Sequence, residues 1–413
     1  MSGSSKEQAA LEFLDGREAE ALEFARDLIR TPSPNPPGDE SAVADLVTRK
    51  LESFGIGEIS RLGAEPNRPN LIARVAGGSP GRRLMLSGHL DTKPAGDMDA
   101  WSTDPWDPVV EDGKLTGLGS GDMKSALAGM VYAAAAIRSL DEFPGELVLA
   151  LTADEEAGSQ LGSKWLAEEG HLAADVAVIG EPSGIQREWE AIHLIARGAA
   201  LFKIKVGGTQ MHSSISDRIK GVNATVQMAK LIQRMDEGLF DYLTFEDHPL
   251  CPTGPTVNVG VMAQAGVFYG VYPGQAEFAC DLRTIPGMDE ATLKADIRRF
   301  LDDAMSDEPD LDAELVWELM VPATEIGPEE PVVGALQKAA KSVLGFEPAL
   351  DAFPGATDAP HFQLTAGIPC VAAFGPGMLP RAHSPNEHMA AEGAVQSAKI
   401  YALATIKYLE EQE

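Results

Sequence analysis

Apolar residues recur at helical spacing in "REAEALEFARDLIR", residues 17–30, where Leu22, Ala25, Leu28 and Ile29 line one face. The prolines of the following "TPSPNPPGDE" end that helix. A second helix is predicted to start near Asp39 and to bury Ala42, Val43, Leu46, Val47 and Leu51. Four short runs then read as strands: "NLIARV" (70–75), "RLMLS" (83–87), "ELVLALT" (146–152) and "DVAVIG" (175–180). A helix is expected between the second and third of these, at roughly 123–139. Short apolar strands alternating with amphipathic helices predict an α/β sheet covered on both faces.

The pattern changes after Glu181. "AALFKIKVGG", from residue 199, alternates apolar and basic positions as a strand with two different faces does. A helix near 222–236 carries Ala224, Met228, Leu231, Ile232 and Met235 along one side. "TVNVGVMAQAG" and "QAEFACDLRT" read as two further strands, residues 289–304 as a helix, and "AELVWELMV" as a last strand. About four strands and two helices of this kind describe an open-faced α+β layer. The α/β style resumes near residue 325. Residues 1–193 and 323–413 are therefore expected to form one domain, with a second inserted at 194–322.

Composition narrows the partners. The chain has 413 residues and a net charge of −30, from 33 basic and 63 acidic side chains. Such a balance opposes binding to nucleic acid or to anionic membranes, and favours solubility. A generally acidic, solvated surface accounts for it. No run of about 18 apolar residues occurs, so no membrane span is expected. The start, "MSGSSKEQAALEFL", lacks the basic opening and apolar core of a signal peptide. Three widely spaced cysteines, Cys251, Cys280 and Cys370, offer neither a disulfide framework nor a thiolate metal site. A cytoplasmic, reduced protein is the expectation.

Candidate chemistry clusters at strand ends. "SGHLDTKPAG", 87–96, places His89 and Asp91 two residues apart just after an apolar run. Read alone, the pair is either a metal-ligating imidazole held in one tautomer by a carboxylate or a surface His beside a capping Asp. Four more sites share the pattern. Asp122 stands in "GLGSGDMKSALAGM", between a Gly-rich loop and a helix start. Glu155 and Glu156 follow a strand in "LTADEEAGSQ". Glu181 ends a strand in "VIGEPSG", and His383 lies in "RAHSPNEHM". Each is ordinary alone, but the carboxyl edge of an open α/β sheet is where ligands bind. His89, Asp122, Glu156, Glu181 and His383 supply two imidazoles and three carboxylates. With one carboxylate bridging, each of two metals receives one His, one unshared carboxylate and the bridge, leaving positions for water and substrate. Glu155 is then spare, and a spare carboxylate beside an activated water is a general base.

The order and spacing of "GHLDT", "DPWDPVVEDGKLTGLGSGDMK", "TADEEAGS", "GEP" and "HSPNE" resemble the dinuclear zinc metallopeptidases and deacylases: acetylornithine deacetylase, succinyl-diaminopimelate desuccinylase, aminoacylase and glutamate carboxypeptidase. The resemblance runs from about residue 20 to 410. It implies a zinc-peptidase-like catalytic domain with a central mixed, mostly parallel sheet, and an inserted α+β lid and dimerisation domain. It also implies a hydrolase of amide-type C–N bonds in small carboxylate-bearing substrates, working as a cytoplasmic homodimer with two divalent ions, zinc first and cobalt or manganese as alternatives. By position, His89 and Glu181 resemble the ligands of one ion, Glu156 and His383 those of the other, and Asp122 the bridge. Asp91 resembles the partner of His89, and Glu155 the base. In relatives the peptide at Asp122–Met123 is cis, which is expected here.

Two segments of the inserted region match as well. "GGTQMHSSISDRIKGVNA" resembles the segment whose His, here His212, enters a neighbouring subunit's active site and stabilises the transition state. "ACDLRTIPG" resembles the segment whose Arg, here Arg283, binds a substrate carboxylate, a task suited to a guanidinium fork. "GATDAPHF", with Gly355 and Thr357, resembles a loop lining the substrate pocket. The chain departs from its relatives in places. Gly270 of "YGVYP" replaces an Asn that helps recognise substrate, Lys93 a small apolar residue, and Ser125 a glycine. None of these is expected to touch a proposed metal ligand. A carboxypeptidase or dipeptidase remains the alternative to a deacylase, and a less usual C–N hydrolase, such as one acting on an aromatic amine, is left open by Gly270. A binding protein without activity would have lost a ligand or the base, and here all are present.

Overall fold

The computed structural model describes residues 3–411. The chain divides into two compact units. One takes in the chain up to Ile195, Glu325–Phe353 and the chain from Thr357 onward, and the other Ala196–Thr324 with Pro354–Ala356.

The first unit is built on a six-stranded sheet. In spatial order its strands are Ile59–Leu62, Asn70–Ala76, Pro144–Thr152, Ser79–His89, Val176–Ile179 and Cys370–Val371. The first two pairings are antiparallel and the next three parallel. The parallel centre carries unbroken apolar runs because both of its faces are covered: Leu147–Leu151 and Val176–Ile179 are buried throughout. The helix Ser125–Arg138 is buried on every side from Ser125 to Ile137 and packs against Gly393–Glu410. A helix apolar all round belongs inside a core. Each buried Leu, Ile or Val there contributes about 1.5–3 kcal/mol.

Differences from the sequence pattern are local. The helix Gly3–Asp15 has only a short apolar stripe, of which Ala10 and Leu14 are buried, so periodicity does not announce it. Helix Ser41–Ser53 buries Val43, Ala44, Val47 and Leu51, while Ala42 is exposed and Leu46 half-buried. Its inner face is turned toward Ala44. Helix Glu18–Ile29 buries Phe24 in place of Leu22. The run "RLMLS" is the inner part of the longer strand Ser79–His89, whose start is polar and exposed.

The second unit contains a four-stranded antiparallel sheet in the order Thr256–Ala265, Gln275–Thr284, Gly198–Gly207 and Ala313–Val321. Along Gly198–Gly207, Phe202, Ile204 and Val206 are buried, and Lys203 and Lys205 between them project to the other face. The helices Ala224–Gly238 and Glu290–Asp307 are capped by Asn223 and Asp289, whose side chains accept first-turn N–H groups. Among the described residues, no helix is long and apolar enough to cross a membrane.

Candidate metal centre and active site

Three neighbouring parallel strands deliver three of the candidate ligands to one edge of the sheet. His89 is the last residue of Ser79–His89, Glu156 lies in the turn Glu155–Ala157 beyond Pro144–Thr152, and Glu181 lies just beyond Val176–Ile179. The other two arrive differently from the strand-end expectation. Asp122 sits in the turn Ser120–Lys124 that leads into the helix Ser125–Arg138. His383 follows Gly375–Met378, a strand paired outside the main sheet with Pro182–Gly184. Close approach fixes the corner beneath His89. A Cβ on Gly88 would lie 2.5 Å from Met123 Cε, so a larger residue there would displace the Met123 side chain. The Asp122–Met123 peptide is cis.

The side chains converge on Asp122. Its Oδ1 lies 3.0 Å from His89 Nε2, and Glu181 Oε1 lies 3.6 Å from the same nitrogen. Its Oδ2 lies 3.1 Å from His383 Nε2, which is also 3.1 Å from Glu156 Oε2. The two oxygens of one carboxylate thus face two separate groups, each of one imidazole and one carboxylate. His89 Nδ1 lies 3.0 Å from the backbone carbonyl of Asp91 and donates to it, which turns Nε2 toward Asp122. That is the ring orientation a metal-ligating imidazole needs.

Charge crowding supports a cationic occupant. Burial, together with Asp358, Glu156 and Asp122, pushes the Glu155 carboxyl well above its usual range. Burial and the nearby Asp122 charge do the same to Glu181. Hydrogen bonds to Asp122 and Glu156 push His383 up to about 10. Burial lowers the pKa of His89, but the Asp122 hydrogen bond and the Glu181, Asp122 and Glu155 charges outweigh it, and the net shift is upward. Buried carboxylates at this density need positive charge. Hard and borderline divalent cations match the N and O donor set. Glu155 also brings an oxygen within 4.8 Å of ligand atoms of His89 and Glu181, so it stands at the rim of the same cluster.

Two details differ from the sequence reading. The Asp91 carboxylate, with Oδ1 3.7 Å from His89 Nδ1, is an ion-pair neighbour of the ring and not its hydrogen-bond acceptor, a role taken by the Asp91 backbone carbonyl. It accepts instead from the backbone N–H groups of Glu155 (3.2 Å) and Glu156 (3.1 Å). Lys93, expected to touch no proposed ligand, lies against a candidate one: its backbone N–H donates to Glu156 Oε1 at 3.0 Å, and its Nζ lies 3.3 Å from Oε2.

Other contributors were not singled out by sequence. Glu387, buried within "HSPNE", accepts from the N–H groups of Gly119 (3.0 Å), Gly121 (2.8 Å) and Asp122 (3.1 Å). The available signal was the Gly-rich loop itself, whose bare amides need an acceptor. Lys124 is buried and donates to the carbonyls of Leu28 (2.9 Å) and Thr31 (2.7 Å), and burial pulls its pKa down to about 7. Asp358 accepts from Thr152 Oγ1 at 3.3 Å and from the Ser159 hydroxyl. Thr357, beside it, is buried and accepts from Ala359 N at 3.2 Å.

His212, Arg283 and Gly355 belong to the second unit. His212 is exposed on a short strand paired with Val271–Tyr272. Its Nδ1 accepts from Ser214 N at 3.2 Å and contacts Ser214 Oγ at 2.8 Å. The proton of the neutral ring is therefore on Nε2, facing away from that contact. Arg283 is engaged by Asp281 through Nη2–Oδ2 at 2.9 Å and Nε–Oδ1 at 2.8 Å. Gly270 has φ +80°, where a side chain would be strained.

The fold and the clustered N and O donors define a metallohydrolase of the α/β class, and comparison with known proteins agrees. Residues 85–407 match the model of Peptidase family M20/M25/M40. Succinyl-diaminopimelate desuccinylase of Parvibaculum lavamentivorans is 30% identical over 92% of this chain and 93% of its own length. A di-peptidase from Saccharomyces cerevisiae shares the fold with a TM-score of 0.77 at 18% identity, covering 100% of both chains. An M20 family metallo-carboxypeptidase from Sulfolobus solfataricus does so with a TM-score of 0.75 at 20% identity, over 94% of this chain and 99% of that one. The chain belongs to Peptidase family M20/M25/M40. It is a metal-dependent hydrolase of amide-type C–N bonds, of the kind that includes N-acyl amino acid deacylases and peptidases.

Proposed function

We propose that the protein removes an acyl group from the nitrogen of a carboxylate-bearing amino acid, as a dinuclear, zinc-dependent deacylase. The observation that carries the dinuclear reading is the division of Asp122, with Oδ1 toward His89 and Oδ2 toward His383. His89 and Glu181 would then hold one ion and His383 and Glu156 the other, with cobalt or manganese able to substitute for zinc. Bound cations supply the Lewis acidity that acidifies a water and polarises the scissile carbonyl. Glu155 takes the water's proton as the water oxygen adds to the carbonyl carbon, then hands that proton to the leaving nitrogen, so that the C–N bond breaks into a carboxylic acid and a neutral amine. His212, protonated on Nε2, donates to the oxygen that gains charge.

The reading extends to assembly and substrate. The domain inserted at 194–322 acts as a lid, and two copies of the chain pair through it, so that His212 serves the partner's site. Arg283 binds the substrate carboxylate by exchanging it for Asp281, the group it now holds. Gly355 and Thr357 line the pocket. A small-molecule substrate in the cytoplasm is the natural setting. The desuccinylase likeness over nearly the whole chain supports reading the reaction as deacylation, with a dicarboxylate product. The test is a screen of N-succinyl and N-acetyl amino acids against dipeptides with zinc- and manganese-loaded protein. Turnover of N-succinyl substrates above all others is the expected result. Cleavage of dipeptides alone overturns it.

A further inference from the structure

A buried polar network lies behind the Glu155–Glu156 turn, and its outer members have no part in the chemistry above. It begins in the proline-rich loop beyond the helix Glu18–Ile29. Asn35 is 2% exposed, and its side-chain nitrogen donates to Asp91 Oδ2 at 2.9 Å and to Asp154 Oδ1 at 3.0 Å. Both protons of one amide group are used, one for each carboxylate. In the same loop, fully buried Glu40 accepts a two-point fork from Arg68, Nε to Oε2 at 2.7 Å and Nη2 to Oε1 at 2.9 Å. Arg68 Nη2 also donates to Asp154 Oδ1 at 2.9 Å. The loop lies flat on this guanidinium. A Cβ on Gly38, at φ +81°, would come within 2.3 Å of it.

The inner end of the network grips the catalytic turn by its backbone. Asp91 accepts the amides of Glu155 and Glu156, one on each oxygen. Asp154 stands immediately before Glu155 at φ +64°, a left-handed conformation that a non-glycine residue keeps only with support. Its Oδ2 accepts from Leu161 N at 3.0 Å. Three carboxylates, Glu40, Asp91 and Asp154, thus share one guanidinium and one amide. Asn35 alone among these donors touches both Asp91 and Asp154, the two residues that set the turn.

We propose that Asn35, braced by the Arg68–Glu40 pair, is a positioning residue for the general base. It locks Asp91 and Asp154 together, so that the turn presents the Glu155 carboxylate in one orientation. The inference rests on the assignment of Glu155 as base. A hydrogen-bonded neighbour that orients a site group typically matters by about 10–100-fold.

The test is a double-mutant cycle on metal-loaded protein with an N-succinyl amino acid as substrate: wild type, Asn35→Ala, Glu155→Gln and the double variant. Asn35→Ala is expected to lower kcat about 10–100-fold with KM within about twofold and metal content unchanged. In the Glu155→Gln background the same change is expected to alter the residual rate by less than about threefold, because nothing remains to be positioned. Asn35→Ser, whose single hydroxyl proton serves only one carboxylate, is expected to fall between. If Asn35→Ala does not fold, Asn35→Ser is read through the same cycle. An unchanged kcat, an equal loss in both backgrounds, or a loss that follows metal content or KM overturns the proposal. A Glu155→Gln enzyme with wild-type kcat overturns the base assignment itself, and shows it independently of Asn35.

Discussion

Glu155 and Glu156 are adjacent in sequence and meet different surroundings. Glu156 is within 3.1 Å of His383, whereas Glu155 stands at the rim of the cluster. Glu155→Gln should therefore retain the metals and lose about 10²–10⁴-fold in kcat. Metal analysis beside steady-state kinetics checks this, and loss of metal would make Glu155 a ligand and exchange the two roles. The sequence announced these residues because each carries charge at the end of an apolar run. It did not announce what Asp91 does. Two residues of spacing suggest a side-chain contact with His89, but the chain turns after His89, and the backbone carbonyl reaches the ring first. Lys93 was visible only as an unusual residue, since its contact with Glu156 depends on how two separate turns meet.

At the scale of elements, the central strands and the helix Ser125–Arg138 were legible because burial on both faces writes continuous apolar runs. The helix Gly3–Asp15 was not, since few of its residues face the core. Polar loops write no periodic signal at all, which is why the Glu387 contact was missed. That contact ties a late loop to the turn that carries Asp122. Glu387→Ala would orphan three buried N–H groups, each costing about 1–3 kcal/mol. The variant should lose about 3 kcal/mol or more of stability and bind metal more weakly. Denaturant unfolding with and without added zinc measures both. A midpoint and a metal content equal to wild type would show that Asp122 is held by other means.

For the whole molecule, the net charge of −30 makes self-repulsion a steady cost to the folded state. Raising salt from low concentration to about 0.5 M should raise the melting temperature of the metal-loaded protein, through screening. Assembly carries a sharper expectation. If two copies pair and His212 serves the partner's site, His212→Ala and Glu155→Ala proteins, each nearly inactive, should regain part of the activity when mixed under subunit exchange. A mixed dimer holds one site with its own Glu155 and a wild-type His212 from the other chain. No recovery despite demonstrated exchange would confine His212 to its own subunit or remove it from the mechanism.

On the proposed reading, two cations shared by Asp122 make this chain a hydrolase of C–N bonds. The most direct measurement removes metal with a chelator, adds zinc back stepwise, and follows bound metal and turnover of an N-succinyl amino acid on the same samples. The expected result is negligible activity without metal, two ions per chain at saturation, and full activity only as the second site fills. Undiminished turnover in metal-free protein, or saturation at one ion per chain with full activity, would contradict it.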